Sequence, residues 1–309
     1  MENIDFKEQW LSRKFGTYEE RHFQTADELW LALSPTSDLA EGPARFVYRG
    51  HGDADWSLIP SILRKSSESP IIPLDAFDDA SEMVFLELAI LQTFLAHCDT
   101  VGITIFGDSR EFRDEVINTQ RADAYYKMPA LWPNKLALNL MAMAQHHGVP
   151  TRLLDWSVNP AVAMYFAASG AVSRYSTWNE NSKLAVWALN AEQLPLHPAV
   201  TLYNAPGSVS SHLAAQGGLF SVHPHSGLRA GRFLVQGLEN YFSDIPSPLI
   251  KLTIPVYEAV RLLLLCSKAG VNAARVYPTP DGAGKAVIDD IKIGLAADYW
   301  NKTAILVRR

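Results

Sequence analysis

The chain has 309 residues, 48% of them hydrophobic and 19% charged, with a formal net charge of −6. It is too apolar for a disordered chain and long enough to bury one large core or two small ones. The negative balance excludes a global basic field of the kind that draws a protein onto nucleic acid, and Cys98 and Cys266 stand too far apart for a metal or redox spacing.

The first ten residues, MENIDFKEQW, are acidic and polar, so no signal peptide is expected. No run reaches about 18 uninterrupted apolar residues, so no membrane span is expected either. Two isolated cysteines in apolar runs read as buried free thiols, and the cytoplasm is the expected location.

Residues 1–21 are polar and read as an arm or a short helix; 22–309 read as one domain. Thr25 through Leu33 carries a helical pattern with Thr25 or Asp27 near its cap. Residues 35–44 read as a loop and 45–50, RFVYRG, as a short buried strand ending at Gly50. Val84, Leu88, Leu91 and Leu95 recur at helical spacing within 77–98. Residues 99–130 are mixed and read as a possible insertion. A second helix is expected over 133–147, with Pro133 in its first turn and Gly148 as its stop.

A strand over 151–156 then leads into a helix over 160–168, with Asn159 as N-cap and Pro160 first in the helix. Strands are expected at 183–190, 218–224, 231–237 and 248–255, with 218–224 and 231–237 paired. A helix over 257–269 ends at Gly270, 284–302 reads as a terminal helix, and 303–309 as a final strand. The fold class is α+β, a mainly antiparallel sheet with flanking helices.

Charged residues inside apolar strands are the chemical signal. Arg49 ends a buried strand and must find an anion or several acceptors, because an unpaired buried charge is costly. Its planar fork suits a carboxylate or a phosphate. Arg152 and Asp155 interrupt a second apolar run, and strand alternation puts them on opposite faces. Asp155 is either a pocket carboxylate or a buried cap for the next helix. His146 and His147 end a helix, where cations are favoured, and also adjoin that strand. Gln216 precedes Gly217-Gly218 at a strand start, to orient a ligand or to close a turn. Glu239 is a second candidate carboxylate or a solvated turn acid. Arg45, Arg64, Lys65, Arg110, Arg121 and Lys135 either build a basic groove or lie scattered over the surface.

YRG, WSLIPSILR, QHHGVPTRLLDWSVNPAVAMYFA, QGGLFSVH and the tail IP…RVYPTPDG together resemble the FRG domain, over roughly residues 22–292. Tyr48 stands where that family usually has Phe, His147 where Tyr is common, Ser157 where Thr is common, and Gly217 in place of a frequent second Gln. The order of elements also resembles the ADP-ribosyltransferase fold. That resemblance implies NAD as substrate and no metal. Arg49, Asp155, His147 and Gln216 are then the catalytic candidates, and Tyr48, Arg49, Gly50, Arg152, Ser157 and Tyr165 the NAD-binding ones. It further implies a bacterial toxin or phage-defence effector, with target RNA or protein as acceptor, an antitoxin or chaperone as a possible partner, and no membrane. No Gln-x-Glu stands at the third motif. Two other readings therefore stay open: a non-catalytic module that recognises a nucleotide or phosphate ligand, and a nuclease using His146, His147 and Asp155.

Overall fold

The structure is a computed structural model describing residues 11–14, 16–37, 39, 45–64, 79–207, 211–225, 234–242 and 247–307. The strands are β1 (Leu11–Lys14), β2 (Glu19–His22), β3 (Phe46–His51), β4 (Leu153–Ser157), β5 (Lys183–Asn190), β6 (Thr201–Tyr203), β7 (Gly218–Val222) and β8 (Leu249–Pro255). They form an eight-stranded sheet in the order β1-β2-β8-β5-β3-β4-β7-β6. Every pairing is antiparallel except β2 with β8. The helices are α1 (Ala26–Ala32), α2 (Ala80–Val101), α3 (Arg110–Glu115), α4 (Asp123–Lys127), α5 (Leu138–His146), α6 (Pro160–Val172), α7 (Ser211–Gln216), α8 (Ala259–Lys268), α9 (Ala273–Val276) and α10 (Pro280–Val307). The fold is α+β with a mostly antiparallel sheet.

Two helical groups cover different parts of the sheet. Leu29 of α1, Ala167 of α6, Leu262 of α8 and Ala296 of α10 share a core with Tyr48, Val186 and Leu252 of β3, β5 and β8. Leu88 of α2, Phe112 of α3 and Met141 of α5 pack instead on Leu153 of β4 and Phe220 of β7. Residues 99–130 supply α3 and α4, and Ile117 and Ala122 between them join that second core. By length and composition α2 could cross a membrane. Its Val84, Leu88, Leu91 and Leu95 are buried here among the other helices of this layer.

Local signals explain the helix starts. Thr25 and Glu28 form a capping box on α1. The Asn159 side chain accepts from Ala161 N at 2.9 Å, and Pro160 opens α6. The α5 region begins later than its sequence suggests. Asn134 caps a 3-10 turn at Lys135–Ala137, and α5 proper starts at Leu138, leaving Pro133 outside. Gly148 stops the helix with φ +84, a conformation that glycine adopts without strain.

The N-terminal stretch departs from expectation. Residues 11–14 and 19–22 are strands, because β2 finds an open ladder on the edge of β8, parallel to it; residues 1–10 lie outside the described residues. The expected strand at 231–237 is absent over 234–237, and 231–233 lie outside the described residues. Strand β7 pairs with β4 and β6 instead. The expected last strand is the end of α10, which runs unbroken through Val307, with residues 308–309 outside the described set.

One close approach positions the site. A Cβ on Gly50 would stand 2.0 Å from the Ala163 carbonyl oxygen, and one on Gly52 would stand 2.5 Å from the Gly170 carbonyl carbon. Only bare backbone lets β3 lie this near α6. The glycine after Arg49 therefore seats the strand against a helix.

Candidate functional site

Strand β3 pairs with β5 along its whole length but meets β4 at a single registered pair, Tyr48 with Ser157. Past that pair the two strands part. Arg49 bridges the opening: its Nη1 donates to the Asp155 carbonyl at 2.7 Å and lies 3.6 Å from the Asp155 carboxylate. A cavity of about 610 Å³ opens there, between α5 and α6, with the 277–285 segment on its rim. That volume suits a nucleotide-sized ligand.

Each member of the pair is held by a neighbour. Arg49 Nε donates to Nε2 of His51 at 3.2 Å, and Nδ1 of His51 lies 3.2 Å from the Trp56 carbonyl. Burial, and then the Arg49 charge, hold the His51 ring well below its usual pKa. A neutral ring with its proton on Nδ1 donates to Trp56 and leaves Nε2 to accept from Arg49. Burial also lowers the Arg49 pKa, and the Asp155 charge opposes that shift. Gln145 Nε2 donates to the Asp155 carboxylate at 2.7 Å. The Thr151 hydroxyl donates to the Gln145 carbonyl oxygen, so the amide presents its NH₂ to Asp155. Asp155 is no helix cap, since Asn159 fills that role, and its side chain is 59% exposed.

Tyr48, Arg49, Gly50, His147, Asp155, Ser157 and Gln216 all line this cavity, as does His146. Some have their polar groups engaged elsewhere. The Ser157 hydroxyl donates to the Gln216 carbonyl at 2.6 Å and accepts from Asn159 N at 2.9 Å, tying the β4–α6 corner to the end of α7. The Gln216 amide donates to the Val276 carbonyl at 3.3 Å, toward α9. The exposed His147 ring stacks near Phe94, with centroids 6.4 Å apart.

Two expected site residues lie outside the cavity. Arg152 is fully buried and faces Glu87 of α2: its Nε donates to that carboxylate at 2.7 Å and its Nη1 to the His223 carbonyl at 3.0 Å. Tyr165 is buried in the α6 core, and its hydroxyl donates to Asp289 at 2.7 Å. Its neighbour Phe166 faces the cavity instead. Glu239 is neither a site acid nor a solvated one, because it is buried and accepts from Leu58 N at 3.0 Å. The residues suggested for a basic groove are divided between regions: Arg64, whose Nε donates to the Ile59 carbonyl at 2.9 Å, lies within electrostatic reach of Arg49 and Asp155. Arg110 and Arg121 pair with Asp114 and Glu115 in the helical layer, while Arg45 lines a separate cavity; Lys65 lies outside the described residues.

Residues 44–175 match the family model of the FRG domain. Over that stretch, less than half of the chain, the sequence is similar to the FRG domain. The match spans β3, the helical layer, β4 and α6, and so contains both sides of the β3–β4 opening. No curated protein and no solved structure matches the chain.

The FRG segment also holds three residues that sequence reasoning passed over. His51 and Trp56 follow Arg49 within one turn of chain, and Gln145 adjoins the His pair. Only Gln145 carried a usable signal: it closes a helix whose chain reverses at Gly148 and returns past it as β4. The aromatic wall adds Tyr277, whose ring centroid is 6.2 Å from that of Phe166. Burial, and then Asp155 and Asp289, push the Tyr277 hydroxyl pKa up, so it stays a neutral donor.

Proposed function

We propose that the cavity binds NAD, breaks its nicotinamide–ribose bond and passes ADP-ribose to a nucleic acid or protein. One observation carries this reading: Arg49 and Asp155 come from separate strands to face one cavity of about 610 Å³. Arg49 supplies a fixed cationic fork for the pyrophosphate. Trp56, Phe166 and Tyr277 supply flat faces for a ring. The C1′–N bond breaks with its electron pair going to the nicotinamide nitrogen, and positive charge builds on the ribose. The Asp155 carboxylate stabilises that charge, as carboxylates do in glycoside cleavage. An acceptor hydroxyl or amine then bonds to C1′, and His147, which lines the cavity, takes its proton. The side-by-side order β3-β4-β7 supports the likeness to ADP-ribosyltransferases, since it sets the Arg-bearing, Ser-bearing and Gln-led strands next to one another.

One feature favours a second reading, a module that binds the nucleotide without turning it over. Gly217 and Gly218 open β7 and place no carboxylate there. Incubating the chain with NAD labelled in the adenosine, plus cell lysate, separates the two. The transferase reading expects free nicotinamide and label in a protein or RNA fraction, with release lowered about a hundredfold or more by Asp155→Asn. Intact NAD that nonetheless binds in calorimetry would leave the recognition module standing. Intact NAD with no binding would remove both.

A further inference from the structure

The outer face of α10 carries an aliphatic row that no described part of the chain covers. Val287, Ile288, Ile291 and Leu295 are 59%, 49%, 55% and 46% exposed, and their spacing sets them along one side of the helix. The opposite side is fastened down. Ala296 is fully buried, the Tyr165 hydroxyl donates to Asp289 at 2.7 Å, and the Tyr299 hydroxyl donates to the Ser176 carbonyl at 3.2 Å. The helix cannot roll to hide the row without losing these bonds. A contiguous apolar stripe of this kind marks an interaction surface.

We propose that this row packs antiparallel against α10 of a second copy of the chain. The charges at its two ends point to that partner. An antiparallel pair centred between Ile291 and Lys292 sets Asp281 against Lys302 and Ile288 against Leu295. Each of these four residues is exposed. The same helix therefore carries both halves of a complementary pattern, as a two-fold contact requires. A parallel in-register pair would set each of these charges against its own kind. Gly284 and Gly294 flank the row with open space beside them, so a facing helix can approach closely. The N-terminal end of this interface, at Asp281, adjoins the cavity rim, while the aliphatic row itself lies outside the cavity.

Sedimentation velocity of the full chain, from low to high micromolar concentration, tests it. The expected result is a reversible dimer. Ile291→Glu, at the centre of the row, should yield monomer with an unchanged circular dichroism spectrum and melting temperature. Lys302→Glu should weaken the dimer roughly five- to tenfold, and adding Asp281→Lys to that variant should restore it. A monomer at every concentration overturns the proposal. So does a dimer that ignores Ile291→Glu, or a charge swap that fails to restore association.

Discussion

Arg152 and Asp155 lie three residues apart, yet each belongs to a different arginine–carboxylate pair. Arg152 and Glu87 are sealed, with side chains 1% and 2% exposed. The Trp132 indole also donates to Glu87, at 2.9 Å, and the His223 carbonyl accepts from Arg152. That cluster fastens α2 to β4 and to the segment after β7. Arg49 and Asp155 are 12% and 59% exposed and open onto the cavity. A sealed pair is fully satisfied by its neighbours and has nothing left to offer a ligand. An open pair keeps a carboxylate turned toward an incoming molecule. Burial, more than the identity of the residues, separates the sealed pair from the one proposed to meet a ligand.

The largest expected effect falls on the sealed pair. Glu87→Ala leaves the Arg152 guanidinium buried with no anion and should destabilise the fold by about 3–5 kcal/mol. Urea denaturation followed by tryptophan fluorescence measures this. A loss below about 1 kcal/mol would mean that Arg152 relaxes to another partner, and the contrast between the pairs would weaken.

Next comes the seat of β3. Gly50→Ala drives a Cβ to within 2.0 Å of the Ala163 carbonyl oxygen and 2.5 Å of Ala167 N, both of them backbone atoms. Backbone cannot swing aside as a side chain can, so a loss of about 3 kcal/mol is expected. The same denaturation series would show it. An unaffected variant would mean that β3 and α6 can separate, and that Arg49 owes little to this contact.

Acid should act on the sealed region as well. Burial, and then the Arg152 charge, lower the His223 pKa from 6.5 to about 4. The folded ring thus binds a proton more weakly than the unfolded one. Its stabilising effect is full above about pH 6.5 and falls as pH drops from there toward about 4. Between about pH 7.5 and about pH 5 the loss should reach roughly 2 kcal/mol, and His51, also held low by burial, adds in the same direction. Denaturation midpoints across that range test the claim, and a flat profile would contradict it.

What could be read in advance follows from which signals are local. Strand β5, the Asn159 cap and the Gly148 stop each rest on neighbours in sequence, and each stands where patterning predicts. Alternation also separated Arg152 from Asp155 correctly. It could not say what Arg152 faces, because Glu87 lies 65 residues upstream on a helix of another layer. Tyr165 misled for the same reason, as its hydroxyl partner Asp289 lies 124 residues downstream. The N-terminal strands were misread because β2 forms by pairing onto β8, which begins at Leu249, and β1 by pairing in turn onto β2. The Arg49–Asp155 convergence was legible because two charges in two short buried strands leave few other ways to be satisfied.

The smallest expected change in stability belongs to Asp155→Asn, and it is the sharpest test of the contrast. The side chain is more than half exposed and its closest Arg49 nitrogen is 3.6 Å away, so removing its charge should shift stability by no more than about 1 kcal/mol. The backbone carbonyl of residue 155, which accepts the shorter bond from Arg49, survives the substitution. Asparagine also keeps an oxygen for the Gln145 amide, so the local geometry should persist. The charge that would stabilise a cationic ribose is gone, and nicotinamide release should fall by about a hundredfold or more. A variant that folds normally and still releases nicotinamide would place the carboxylate outside the chemistry. A variant that unfolds as readily as Glu87→Ala would make both pairs structural and erase the distinction between them.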